Sequence, residues 1–155
     1  MDVSALLALC QDEMATLDAL QHTLEEEQRA ILRFDAFQLD EMSQAKLRQL
    51  GELTAAREKR LAAQSAEGLA DSIHWQTWLL QAPAELRQLW HEMEKAVIRL
   101  KTLNEVNADL AQERMQFATD VLESLRASSQ AITGYGRHGN LSSSPLTGSR
   151  RLGSA

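Results

Sequence analysis

At 155 residues the chain has room for one domain with a sizeable core and hardly for two. Ala, Glu, Lys, Leu and Arg supply 77 of those residues, against four Val, four Ile and one Tyr, a balance that points to long helices or coiled coil and excludes a β-sandwich or doubly wound sheet. Residues 1–133 carry a net charge of −9, which repels phosphate backbones and argues against nucleic-acid binding, while 134–155 carry +3 and five of the seven glycines.

From Val3 to Leu32 the positions Leu6, Cys10, Glu13, Leu17, Leu20, Leu24, Glu27 and Ile31 alternate by four and three, predicting one amphipathic helix with two charged residues on its seam. Asp35 followed by Gln38 predicts a capping box, and Phe34 with Leu39 a hydrophobic staple, so the chain turns at Arg33–Asp35. A second helix runs from Ala36 to about Gln64, with Leu39, Met42, Leu47, Leu50, Leu53 and Leu61 as a broad inward stripe and Arg57-Glu58-Lys59-Arg60 as a solvated outer face. Gly68 ends it, and Ser72 is placed to cap a short connector helix that turns Trp75, Trp78 and Leu79 to one side as lids on the bundle.

Pro83 suits the first turn of a third long helix. Its heptad series runs Leu86, Trp90, Met93, Val97, Leu100, Asn104, Asn107, Ala111, Arg114, Ala118, Val121, Leu125, Ser128 and Ile132 without a helix breaker. Leu89, Ala96, Leu103, Leu110 and Phe117 widen the stripe to the breadth of a multi-helix core. Asn104 and Asn107 on the seam are read as register-fixing residues. Two helices of about 30 residues cannot cover one of about 49, so the stretch Phe117–Ile132 is expected to overhang, break or pack on another molecule. Its face of Phe117, Val121, Leu122, Leu125 and Ile132 is the candidate binding surface.

The fold class expected is thus all-α: an antiparallel bundle or coiled coil of three main helices, the third very long, plus a short connector helix. The body comprises 1–133 and a flexible tail 134–155. The tail has too little apolar surface to order by itself, yet its spaced Tyr135, Leu141, Leu146 and Leu152 suit a segment that orders on a partner. A lone Cys10 permits no internal disulfide and is read as a small buried hydrophobe. His22, His74, His91 and His138 form no metal-binding pair, and no phosphate-binding or nucleophile motif occurs, so neither a cofactor nor an enzymatic activity is expected. Without a basic leader or an apolar span, the expected location is the cytoplasm, with no membrane insertion.

Asp35-Ala36-Phe37-Gln38-Leu39, the later Arg57-Glu58-Lys59-Arg60-Leu61, the pair in Leu103-Asn104-Glu105-Val106-Asn107, and Tyr135-Gly136-Arg137-His138-Gly139 ahead of Gly148-Ser149-Arg150-Arg151-Leu152-Gly153 together resemble the FlgN family of flagellar type III export chaperones. The resemblance covers nearly the whole chain. It departs where Ala108, rather than the family's frequent glycine, follows Asn107, favouring a straight helix there. What it implies is a non-catalytic chaperone that binds the C-terminal helical segments of the hook–filament junction proteins FlgK and FlgL, prevents premature assembly and delivers them to the export apparatus. It further implies docking on the export gate through Tyr135. Client anchors are then expected on the Phe117–Ile132 face, joined by Leu141 and Leu146. A generic dimerising coiled coil, and a chaperone for another axial protein such as flagellin or the filament cap, remain open on the residues alone.

Overall fold

The computed structural model describes residues 2–138, with side chains through Gly134. Four helices follow in order: α1 (Val3–Arg33), α2 (Ala36–Ala66), the short α3 (Ser72–Gln81) and α4 (Ala84–His138); no strand occurs among the described residues. The chain divides into two compact units, Met1–Met115 and Gln116–Ala155. The all-helical bundle expected from composition is what the chain adopts.

All eight α1 seam positions, from Leu6 to Ile31, are buried. Leu17, Leu20 and Leu24 join Trp75 and Ala82 from the α3 segment and Leu86, Met93, Ala96 and Leu100 of α4 in one core. Each fully buried leucine contributes about 1.5–3 kcal/mol relative to an exposed one, so this α1–α4 seam is the main apolar support of the first unit. The most extensive close backbone approach is between α1 and α2. Their pairing is antiparallel, since Glu13 meets Arg60 while Glu27 meets Lys46. Helix α4 runs in the direction of α1: Arg99 donates to Gln21 at 3.2 Å and, two turns on, Asn107 reaches Leu24.

Both turns out of the long hairpin helices use the same hydrogen-bond pattern. After α1, the Asp35 N–H bonds Ala30 O at 3.0 Å and the Phe34 N–H bonds Ile31 O at 3.3 Å; after α2, Leu69 and Gly68 bond Gln64 O and Ser65 O at 2.9 and 3.0 Å. This motif requires a left-handed residue, supplied by Gly68 (φ 73°) in one case and by Phe34 (φ 56°) in the other. Asp35 caps α2 by accepting from the Gln38 N–H at 3.0 Å. The return half of the expected capping box is not made, because the Gln38 side chain donates instead to Glu26 at 3.3 Å. Phe34 is exposed and lies under the Arg114 guanidinium, 4.8 Å from its ring centre.

Three further expectations need correction. Asp71, not Ser72, caps α3, its carboxylate accepting from the Ile73 and His74 N–H groups at 2.9 and 3.2 Å. The α2 stripe does not turn inward as a whole: Leu47 is 73 % exposed, Leu50 and Leu61 are also exposed, and the buried residues of α2 are Arg60 and Gln64. Arg60 is therefore not part of a solvated outer face. The physical reason is that α1 presents carboxylates on its seam, so α2 turns a cationic side toward it and leaves its leucines along the edge.

Two polar clamps and two open faces

Glu13 and Glu27, the charged interruptions of the α1 seam, each organise a contact among three helices. Glu13 accepts two hydrogen bonds from Arg60, through Nε and, at 3.2 Å, Nη2. Arg60 also donates from Nη1 to Gln64 Oε1 at 3.0 Å, and its guanidinium lies 4.9 Å from the ring centre of Trp90 on α4. Burial of both side chains and a forked geometry make this a pair in which each charge depends on the other. Trp90 in turn meets Trp75 edge-on at 4.8 Å, and Trp75 stacks on Trp78 at 5.3 Å, so the connector helix is anchored to the same point.

Four turns along α1, Glu27 accepts from Lys46 Nζ of α2 at 3.3 Å and from Asn107 Nδ2 of α4 at 2.8 Å. Asn107 Nδ2 also donates to Leu24 O at 2.8 Å, and its side chain is buried. Both neighbours of that nitrogen are acceptors, which fixes the orientation of the amide. Asn104 is exposed instead, on the side of α4 facing Lys46.

Cys10 is fully buried beside the first clamp. Burial pushes its thiol from 9.0 up to about 11; the Arg60 guanidinium pulls the other way and Glu13 adds to the rise. A thiol in this state is a poor nucleophile. Among the described residues, no three His, Cys, Asp or Glu side chains gather in a way that could hold a metal ion. No helix among them is long and apolar enough to cross a membrane.

Between the clamps, α2 and α4 border a groove floored by α1. Its larger part, about 640 Å³, has Leu17 below, Leu50 and Leu53 on one wall and Met93 and Val97 on the other. A smaller part, about 230 Å³, continues over Leu20 and Leu24 toward Lys46 and Lys101. The sequence signal for this opening was the wide apolar pattern on both α2 and α4, which outnumbers what a three-helix core can cover.

The second unit offers a face of another kind. From Gln116 to Gly134 every described side chain of α4 is exposed. Phe117 is 58 %, Leu125 61 % and Ile132 74 % exposed, with Val121 and Leu122 exposed beside them. A shallow depression of about 270 Å³ lies among Phe117, Asp120, Val121, Ser124, Leu125 and Ser128. The backbone of Tyr135 belongs to the last turns of α4. Its side chain, and Leu141 and Leu146 altogether, lie outside the described residues.

The open surfaces of this helical bundle are apolar, a property of faces that bind other proteins. The family model of the FlgN protein matches residues 1–143, and the chain belongs to that family, which is one of flagellar export chaperones rather than of enzymes. Neither a curated protein nor a solved structure matches it.

Proposed function

We propose that the chain is a cytoplasmic chaperone of type III flagellar export whose clients are the hook–filament junction proteins FlgK and FlgL. Their C-terminal amphipathic helices lie along Phe117, Val121, Leu122, Leu125 and Ile132, and Leu141 and Leu146 close over them from the far side. While bound, the client helix cannot assemble. Tyr135, whose backbone lies in the last turn of α4, docks the loaded chaperone on the export gate.

The observation that carries the reading is a helical apolar face of five large side chains, all exposed, in a member of a flagellar export chaperone family. A client helix supplies the missing side of that face, with anchors at helical spacing. Contiguous exposed apolar surface of this sort costs solubility and marks a partner site.

The test is a titration of the full chain with C-terminal peptides of FlgK and FlgL, followed by the Val121→Ser/Leu125→Ser variant. Removing two anchors is expected to weaken binding by at least tenfold, with the helix content of the free chain unchanged. Peptide binding at wild-type strength by that variant would remove the face from the mechanism. A chain ending after Ile132 separately tests the tail, and equal affinity for both lengths excludes Leu141 and Leu146. Tyr135→Ala is expected to bind client normally and to fail in export.

A further inference from the structure

We propose that the groove between α2 and α4 is a second docking site, independent of the Phe117–Ile132 face, and that its occupant is a four-turn amphipathic helix with acidic flanks from a partner protein. The groove reaches from Arg60 to Lys46 on α2, which at 1.5 Å per residue is about 21 Å, the length of roughly four helical turns. Its floor and walls are leucine, methionine and valine, and Val97 is 52 % exposed and Ile98 68 % exposed with nothing over them. A helix laid there converts three helices into four around one apolar centre.

Charge identifies the occupant. The chain as a whole is acidic, with a net of −6, yet the groove is lined by four cations, Lys46, Arg57, Arg60 and Lys101, against two carboxylates, Glu13 and Glu94. Glu13 pairs with Arg60 and Glu27 with Lys46, so the lining charges left over are Arg57 and Lys101 against Glu94, which accepts from Trp90 Nε1 at 2.9 Å and keeps its charge. Arg57 on one wall and Lys101 on the other are exposed and have no ion-pair partner among the described residues. They stand roughly 10 Å apart along the axis, about two turns, on opposite sides of the opening. A helix with a carboxylate on each flank at that spacing meets both, whereas a basic helix meets two like charges. The chain's own tail is the wrong sign for this groove, since its charged residues Arg137, Arg150 and Arg151 are all cationic.

The clamps make the site preformed. Glu13–Arg60–Trp90 closes one end and Glu27–Lys46–Asn107 the other, so α1, α2 and α4 are tied together at both ends of the opening, α4 through Arg60 at the first and directly to Glu27 at the second. Binding then need not order the receptor, which lowers its entropic cost.

The probes are two fluorescent 15-residue helical peptides with the same leucine stripe, one flanked by glutamates and the other by lysines, titrated into the full chain. At low ionic strength the glutamate peptide is expected to bind at least tenfold more tightly, with the preference shrinking at high salt. The exposed-site double variant Arg57→Glu/Lys101→Glu should abolish the preference while keeping the same helical circular dichroism, and Val97→Asp should weaken both peptides. Leu125→Ser should leave glutamate-peptide binding unchanged, which separates this groove from the proposed client face. Equal affinity for the two peptides, or an undiminished preference in the double variant, overturns the proposal. A concentration-dependent dimer that the double variant dissolves gives the groove to a second copy of the chain, and overturns it as well.

Discussion

Leu100 and Val121 stand three whole heptads apart at the same position of one helix, yet Leu100 is 6 % exposed and Val121 41 %. The pattern that encodes the two is the same. What differs is the partner: in the first unit the stripe faces α1, whereas in the second every described side chain is exposed. Periodicity therefore specifies which side of a helix is apolar, and the rest of the chain decides whether that side becomes core or stays open. A chaperone needs both outcomes in one sequence, because a face that folds onto its own chain is unavailable to a client.

The sharpest way to break the comparison is to attack the first unit where it is least replaceable. Glu13→Ala leaves Arg60 buried without its carboxylate, and is expected to cost about 3–5 kcal/mol in urea denaturation. The paired replacement Glu13→Leu/Arg60→Met should recover most of that loss, since it removes both charges together. A Glu13→Ala chain as stable as wild type would mean that the clamp is not what joins α1 to α2. Next in size, Leu100→Ala should cost about 2–5 kcal/mol and Leu125→Ala no more than about 0.5 kcal/mol. Equal losses at the two leucines would show that the second face is covered in the free protein, and would undo the distinction between core and open face.

These residues also mark what could be read from the sequence. The α1 seam was fully legible, because eight positions follow the three–four rhythm and all eight are buried. The start of α2 was legible through Asp35, since a local side-chain cap depends on neighbours in sequence. Arg60 was not, because a charge run has no period that separates its buried member from its solvated ones. A nonlocal signal did exist: Glu13 and Glu27 stand 14 residues apart on α1, and Lys46 and Arg60 stand 14 apart on α2 in the reverse order. Seam carboxylates call for cations at matching spacing on whichever antiparallel helix covers them. The groove was illegible for a related reason, as the apolar width of α2 and α4 reveals surplus surface without saying where it opens.

A smaller effect separates the two seam asparagines. Asn107→Leu deletes the amide that donates to Glu27 and Leu24, and is expected to cost about 1–3 kcal/mol, because Glu27 then loses one of its buried donors. Asn104→Leu changes an exposed position and should stay within about 0.5 kcal/mol. If the two substitutions proved equivalent, the second clamp would carry no particular energy, and the groove would be held at one end only.

The smallest effect near neutral pH belongs to Cys10, and its sign follows from the direction of its shift. The thiol ionises near 9.0 when unfolded and at about 11 when folded. Below pH 9 both states keep the proton and Cys10 contributes no pH dependence. Above it, the unfolded chain releases its proton first, so the stability contributed by keeping a neutral thiol in the core is lost as pH rises toward 11. Between pH 8 and 9.5 the loss is under about 1 kcal/mol, growing to no more than about 3 kcal/mol once the folded thiol also ionises. Other groups titrate in the same range, so the measurement is the difference between wild type and Cys10→Ala. The variant is less stable throughout because it leaves a gap beside Glu13 and Arg60, but its stability should fall less steeply from pH 9 to 11. Parallel curves would mean that the thiol ionises equally in both states, and that the first clamp admits solvent to the heart of the bundle.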